Sequence, residues 1–514
     1  MSRRRIRSTL LACAAIPAAI IAGCGGGGGG SVDVGPAAAV PASTPIYLDA
    51  TVKPTGAAKS NADAALGKIL NTPDPGAKIV SLIEDRAKSD GHPINYQQDI
   101  APWLGGKAAV FFTSLGANSK GVVVVETTNP AASLAFAQKA SGDTATDPAP
   151  QGYNGATYQT DKSQPGQVFG TVGNFLVEGD LTGFKAAVDA NKGDSLGDSS
   201  DFKNSIADLP GDRLGTLYTV PKDFITALGP NQLDPNSQAL LEKTAGNNLD
   251  QPVAGALTAS ANTLQLEATG GSNGVETPES SLLGGVPGQS WLAFGLGDLG
   301  GNLKNSIDQL KQQIPNFDAV QAQIQQATGS SLEQLTGAIG DAVLYVQGTT
   351  QPKLTGALIV QSKNTDLTGR LLTQLQSLLR LGSGGAVKPL RLSGGGTGFQ
   401  INDPSVAPRP VELAQQGDKL VIGYGAGSAE ASLAPAQTLS DSPTYSAAHD
   451  QISSLGTDLF LDMPSIFALA ESSGAKSDPG YAQAKPYLDA LTYLVTGSGS
   501  SGDKAEFKAV LGLK

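Results

Sequence analysis

The sequence predicts an α+β fold built as two similar units in tandem, each a largely antiparallel sheet packed with helices. Three observations carry that expectation. Short apolar runs that alternate or run unbroken, as strands do, are interleaved with apolar stripes at helical spacing. A series of landmarks in the first half recurs in the same order in the second half. Between the halves lies "TGGSNGVETPESSLLGGVPGQ" (269–289), whose Gly, Ser and Pro read as a connector. A chain of 514 residues is also longer than one hydrophobic core usually serves.

The landmarks set the register of the repeat. "TPIYLDATV" (44–52) matches "GQSWLAFGL" (288–296), placing Tyr47 against Trp291 at an offset of 244. "GGKAAVFF" from Gly105 and "GVVVVETTN" from Gly121 meet "IGDAVLYV" from Ile339 and "GALIVQSKN" from Gly356, at 234 and 235. "GNFLVEG" (173–179) meets "GDKLVIG" (417–423) at 244, and Phe202, Pro221 and Phe224 meet Tyr445, Pro464 and Phe467 at 243. The closing strands, "LQLEATG" from Leu264 and "FKAVLGL" from Phe507, keep the same offset of 243.

Within each unit the elements follow from local chemistry. Ile46, Leu48, Ala50 and Val52 alternate as an opening strand. Leu66 and Leu70, then Ile79 and Ile83, predict helices in the first unit. Leu303, Ile307, Leu310 and Ile314, then Phe317, Val320 and Ile324, predict helices in the second. "AAVFF" and "VVVV" read as neighbouring strands. Asn129 before Pro130 is a helix start, the amide capping free N–H groups while Pro fills the first turn, and Asn364 repeats the cap. "QVFGTVGNFLVEG" predicts a hairpin turning at Gly173-Asn174, followed by a helix carrying Leu181, Phe184 and Val188 and by the strand "LGTLYT".

The N-terminus predicts an address. Arg3, Arg4, Arg5 and Arg7 precede an apolar run from Thr9 to Gly23, shorter than the roughly 20 residues of a spanning helix and interrupted by Pro17. Ile21-Ala22-Gly23-Cys24 resembles the bacterial lipobox, in which the cysteine thiol is acylated, with palmitate-type chains, and becomes the mature N-terminus. Six glycines follow Cys24 and then "SVDVGPAAAVPAST", a flexible tether with no periodic apolar face. The predicted organisation is a signal peptide at 1–23, a tether at 24–43, a first unit at 44–270, a linker at 271–285 and a second unit at 286–514. The expected location is the extracytoplasmic face of the cell membrane, with the membrane itself as partner through lipid on Cys24. The charged start partly resembles a twin-arginine signal, so the general secretory and twin-arginine export routes both stay open.

At "DIAPWLGGKAAVFF" (99–112) the chain takes on a recognisable pattern. Asp99-Ile100-Ala101-Pro102-Trp103-Leu104-Gly105, a strand and then "VVVVETTNPAASLAFAQKA" resemble the bacterial family catalogued as domain of unknown function 3352. "FLVEGDLTGFKAAVDA" and "SLGDSSDFKNSIADLP" resemble that family's strand-helix-helix run. The second half departs at Ala338-Ile339-Gly340, where the Trp-Leu-Gly element is missing. The motifs are structural, so the resemblance implies a family and carries no catalytic residue with it.

Composition narrows the chemistry. The chain has a formal charge of −11, and losing the four signal arginines takes it to −15, which argues against a nucleic-acid partner. Of two cysteines only Cys24 would survive maturation, leaving no disulfide framework or thiolate metal site. His92 and His449 stand in polar surroundings, and neither a metal nor a cofactor is expected. "LVIGYGAGSAE" approaches a dinucleotide turn, but Ser428 replaces the third glycine and Pro435 interrupts the helix beyond. The remaining asymmetry is cationic: Arg370, Arg380, Arg391 and Arg409 fall within 40 residues of the second unit. Arg380, Arg391 and Arg409 are the candidate anion-binding residues, for an anionic envelope polymer or lipid. The expected activity is non-catalytic binding or scaffolding; a surface hydrolase using paired carboxylates, or a carrier of an apolar ligand, are the alternatives.

Overall fold

The computed structural model describes residues 34–89, 91–116, 119–142, 149–228, 246–271, 278–311, 316–382, 385–452 and 455–514. The predicted signal segment, Cys24 with its glycines, and Ile314 of the predicted helical stripe lie outside the described residues. The chain divides into two compact units, one formed by the residues up to Gly274 with Ser501–Glu506 and Leu513, and one formed by Val275–Ser500 with Phe507–Gly512 and Lys514. Both mix helices with antiparallel strands, as the periodicities predicted.

In the first unit the strands are β1 (Tyr47–Thr51), β2 (Leu104–Ser114), β3 (Lys120–Thr127), β4 (Gln151–Tyr153), β5 (Ala156–Thr160), β6 (Gln167–Val172), β7 (Phe175–Asp180), β8 (Gly215–Thr219), β9 (Val253–Ala259) and β10 (Thr263–Gly271). They hydrogen-bond side by side in the order β4-β5-β6-β7-β3-β2-β1-β8-β9-β10, every pair antiparallel. The helices are α1 (Gly56–Ile69), α2 (Pro75–Ser89), α3 (Pro130–Ser141), α4 (Leu181–Lys192), α5 (Ser200–Ala207) and α6 (Pro221–Leu228). Side chains alternate across a strand, so the sheet has two apolar faces to cover. Tyr47, Phe111, Val122, Val124 and Val177 go to one core with Phe184 of α4 and Phe202 of α5. Val52, Trp103, Ala108 and Leu176 go to another, with Phe136 of α3 packed against it.

The second unit has β11 (Ser290–Leu296), β12 (Ile339–Gln347), β13 (Thr355–Ser362), β14 (Val387–Pro389), β15 (Thr397–Ile401), β16 (Val411–Gln416), β17 (Lys419–Tyr424), β18 (Thr457–Asp462), β19 (Leu491–Ser501) and β20 (Lys504–Leu513). Their order is β14-β15-β16-β17-β13-β12-β11-β18-β19-β20. Its helices are α7 (Leu299–Lys311), α8 (Phe317–Thr328), α9 (Leu332–Gly337), α10 (Thr365–Gly382), α11 (Ser428–Leu433), α12 (Pro443–His449), α13 (Met463–Ser472) and α14 (Pro479–Leu488). Among the described residues no helix is long and apolar enough to cross a membrane.

The predicted caps form. Asn129 Oδ1 accepts from Ala132 N at 3.2 Å to open α3, and Asn364 Oδ1 accepts from Leu367 N at 3.0 Å to open α10. The β6–β7 hairpin turns at Gly173-Asn174, with Gly173 at φ 57°, a conformation costly for a residue with a Cβ. Trp291, Phe224 and Phe467, landmarks of the repeat, are only half-buried, and Trp291 spends its indole N–H on Gly348 O at 3.0 Å.

Two boundaries move. Residues 35–39, read as tether, form a 3₁₀ turn whose Ala37 and Ala39 are fully buried with Val40 in the first core. Likewise Leu283, inside the stretch read as linker, and Val286 beyond it are fully buried in the second unit's core, and Ser280 Oγ donates to Ala342 O at 2.8 Å. Small residues and a proline without periodicity looked unfoldable. Burial of a few Ala, Val and Leu side chains against a preformed core needs no period, so these segments pack as edges of the units.

Candidate functional site

The element that carries the family resemblance holds structure together. Trp103 is buried, its Nε1 donates to Asp99 O at 2.6 Å, and its ring lies 5.4 Å from that of Phe136 on α3. The Asp99 carboxylate accepts from Asn95 N at 2.8 Å and from Lys139 Nζ at 2.7 Å. Those two contacts, the main-chain one first, hold its pKa below the ordinary carboxylate value. The Asp-Trp turn therefore fastens α3 over one face of the sheet.

The glycine-rich turn after β17 is closed from within. Glu412 on β16, 2% exposed, accepts from Gly427 N at 2.8 Å, Ala429 N at 2.9 Å and Ser428 Oγ at 3.3 Å. The two backbone N–H groups are ones that a phosphate would need at the start of a helix. Gly425 and Gly427 have φ of 95° and 78°, and a Cβ on Gly423 would overlap Ser428 Oγ. The glycines serve a tight turn and a close helix approach, with the chain's own carboxylate as the anion.

Neither histidine is set up for proton relay. His92 is exposed beyond α2. His449 Nδ1 lies 2.8 Å from Thr457 Oγ1 and 3.9 Å from Glu279 Oε1, and the ring stacks on Tyr445 at 5.8 Å. A relay needs the hydroxyl and the carboxylate on opposite ring nitrogens, whereas both partners here face Nδ1.

One carboxyl stands apart. Glu178 lies on β7 within the apolar run "FLVEG", opposite Phe169 of β6 and Val123 of β3. Gln164 Nε2 donates to its Oε1 at 3.1 Å. Burial, reinforced by the negative charge of Asp161, pushes its pKa up to about 7. Asp161, itself buried, accepts from Ser163 N and Ser163 Oγ, each at 2.7 Å. A neutral carboxyl beside a second carboxylate is an arrangement that can give up a proton near neutral pH. Sequence reasoning left the carboxylates undifferentiated; a lone acid inside an apolar strand was the available signal.

The arginines occupy different local settings. Arg380 is exposed in the last turn of α10, and Arg391 is exposed just beyond β14. Arg409 is half-buried: Nη2 donates to Gln351 O at 2.5 Å, Nη1 donates to Leu354 O, and Cζ lies 6.0 Å from the Tyr424 ring centre. Its guanidinium is engaged in bracing a loop. Arg370, exposed on α10, lines a groove of about 590 Å³ with Thr373, Gln374, Ser377 and Leu378 of the same helix and Ala327 of α8.

A family model described as "Protein of unknown function (DUF3352)" matches residues 77–512. No curated protein matches the chain. Among solved structures, crystal forms I and III of TP0453 are each 10% identical to it. They cover 79% and 78% of this chain and 98% and 99% of their own, with a TM-score of 0.16 in both cases.

Proposed function

This chain belongs to the DUF3352 family, whose description assigns no activity, and on that premise we propose that it is a lipid-anchored, non-catalytic binding or scaffolding module at the extracytoplasmic face of the cell membrane. The observation that carries this reading is the run from Arg3 to Cys24 followed by six glycines. A short interrupted apolar segment ends in small residues and a cysteine, and a stretch with no apolar period comes next. Two or three acyl chains on one cysteine would hold the protein stably, where a single chain would not. The anionic partner, an envelope polymer or lipid, would be met by the arginine-rich part of the second unit.

The body fits a scaffold made by duplication. Among the described residues both units run ten strands in the same order, with the opening strand between the second and the eighth. Small devices recur as well. Leu196 N donates to Val40 O at 2.7 Å and Leu439 N to Val286 O at 2.8 Å, each beside an isolated bridge, Pro41 to Ser195 and Pro287 to Thr438. Ser199 caps α5 at Phe202 N and Ser442 caps α12 at Tyr445 N. Irregular features of this kind are not forced by sheet geometry, so their ordered recurrence favours common descent of the two halves.

The experiment is Cys24→Ala expressed in the host. The protein should move from the detergent-soluble membrane fraction to the medium or to a signal-bearing precursor; a variant that stays processed and membrane-bound would sink the lipoprotein reading. Glu178 favours one second reading, a surface hydrolase with Glu178 as proton donor and Asp161 as its partner.

A further inference from the structure

We propose that α10 (Thr365–Gly382) is an interfacial helix that seats on an anionic lipid bilayer, Leu378 and Leu381 entering the headgroup boundary while Arg370 and Arg380 pair with lipid phosphates. The proposal rests on the membrane-anchored reading above and names the surface that would meet the membrane.

Two independent features of the helix point there. It carries more apolar surface than the core uses. Leu372 is buried with Val387 and Phe399, and Leu379 packs against the same cluster, which accounts for the inward face. Leu375, Leu378 and Leu381 recur at three-residue spacing on another side and are 40%, 66% and 87% exposed. A leucine 87% exposed near the end of a well-formed helix gains nothing for the fold.

The second feature is charge. Between Asp366 and Asp403 there is no acid, while Arg370, Arg380, Lys388 and Arg391 all fall in that interval. In a chain of net charge −11 this is a local reversal of sign, and it coincides with the exposed leucines. Leucines flanked by arginines on a helix whose other side is anchored to a sheet are the composition of a helix that lies in the plane of a bilayer. The groove beside Arg370, lined also by Thr373, Gln374 and Ser377, offers further polar partners to a headgroup.

Charge decides between occupants. A second copy meeting this face through a two-fold axis would bring Arg370 and Arg380 against their own counterparts, which repel. An anionic leaflet presents the opposite charge, and each cation near its surface is worth about fivefold in binding, about 1 kcal/mol. Such a site is weak for a free protein. For a chain already held at the bilayer by its own lipid, docking becomes intramolecular and a weak site is filled.

The test uses the full-length protein with Leu381→Cys, labelled with an environment-sensitive thiol fluorophore and inserted through its own anchor into vesicles. These are phosphatidylcholine alone or phosphatidylcholine mixed with phosphatidylglycerol, each with nitroxide on the upper acyl chain. The two natural cysteines are Cys13, in the segment removed, and Cys24, blocked by acylation, so the label reports position 381. Peptide mapping of the label checks this: fluorophore on Cys24 means that the anchor reading has failed, whatever the quenching. The expected result is quenching that requires phosphatidylglycerol, weakens with salt, and drops in docked-to-undocked ratio by more than about tenfold in Arg370→Gln/Arg380→Gln. An anchored protein whose label stays unquenched overturns the proposal. So does quenching that is equal on phosphatidylcholine alone and indifferent to the arginines. A label shielded by concentration-dependent self-association without vesicles would assign the face to a second copy instead.

Discussion

Glu178 sits between Phe169 and Val123 on neighbouring strands, and the consequence is a proton held near neutral pH. In the unfolded chain the carboxyl ionises around 4.5, in the folded one around 7. Below 4.5 both states carry the proton and the group's contribution is fully favourable. As pH rises from there to 7 the unfolded state ionises first, the folded state binds more protons, and stability falls. The loss is on the order of 3 kcal/mol. Glu178→Gln should flatten that slope in urea unfolding measured across the window and should leave the variant more stable than the parent at pH 8. Parallel pH dependence in the two proteins would show that Glu178 is not the group responsible. The same variant decides the hydrolase reading, since any hydrolysis that survives the substitution unchanged does not use this carboxyl. Glu412 makes the contrasting case: equally acidic in sequence, it is wrapped by three donors and serves as the turn's internal anion. Nothing in the sequence separates the two, because what distinguishes them is which strand or helix end lies opposite.

The elements most legible in the sequence were those fixed by neighbours along the chain. Asn129-Pro130 and Asn364 cap helices where the side-chain chemistry requires it, and Gly173-Asn174 turns a hairpin because glycine tolerates a positive φ. The Asp99–Trp103 turn was visible as a motif, but its purpose depends on α3, 30 residues further on. Trp103 fills the space under Phe136 while Asp99 holds Lys139, so the turn and the helix are one packing unit. Trp103→Ala should cost about 3–5 kcal/mol through the cavity and the lost ring contact. Urea unfolding followed by circular dichroism measures it, and a loss under about 1 kcal/mol would mean that the element is not a fastener. Less legible were α10's outer leucines and the packed ends of the tether and linker. Periodicity finds one apolar face of a helix, and whether a second face is covered depends on what lies over it. Burial of Ala37, Val40, Leu283 and Val286 likewise comes from partners distant in sequence.

At the scale of the whole chain, the described strands of both units follow one order, which constrains the sequence of elements more tightly than it constrains residue identity. Tyr47 and Ala293 occupy corresponding positions, each paired with an aromatic on both sides: Phe111 and Tyr218 in one unit, Tyr345 and Phe460 in the other. The alignment from sequence set Tyr47 against Trp291 instead, a slip of two residues that preserves the face and is invisible to alternation alone. Membrane attachment is a claim of a different kind, since it rests on the order of a charged start, a short apolar run, a cysteine and a glycine stretch. Its most direct measurement is intact mass spectrometry of the mature protein extracted from host membranes. The account predicts a chain that starts at Cys24 and carries diacylglyceryl with or without a further acyl group. A mature N-terminus at any other residue, or an unmodified Cys24 in membrane-extracted protein, would contradict it.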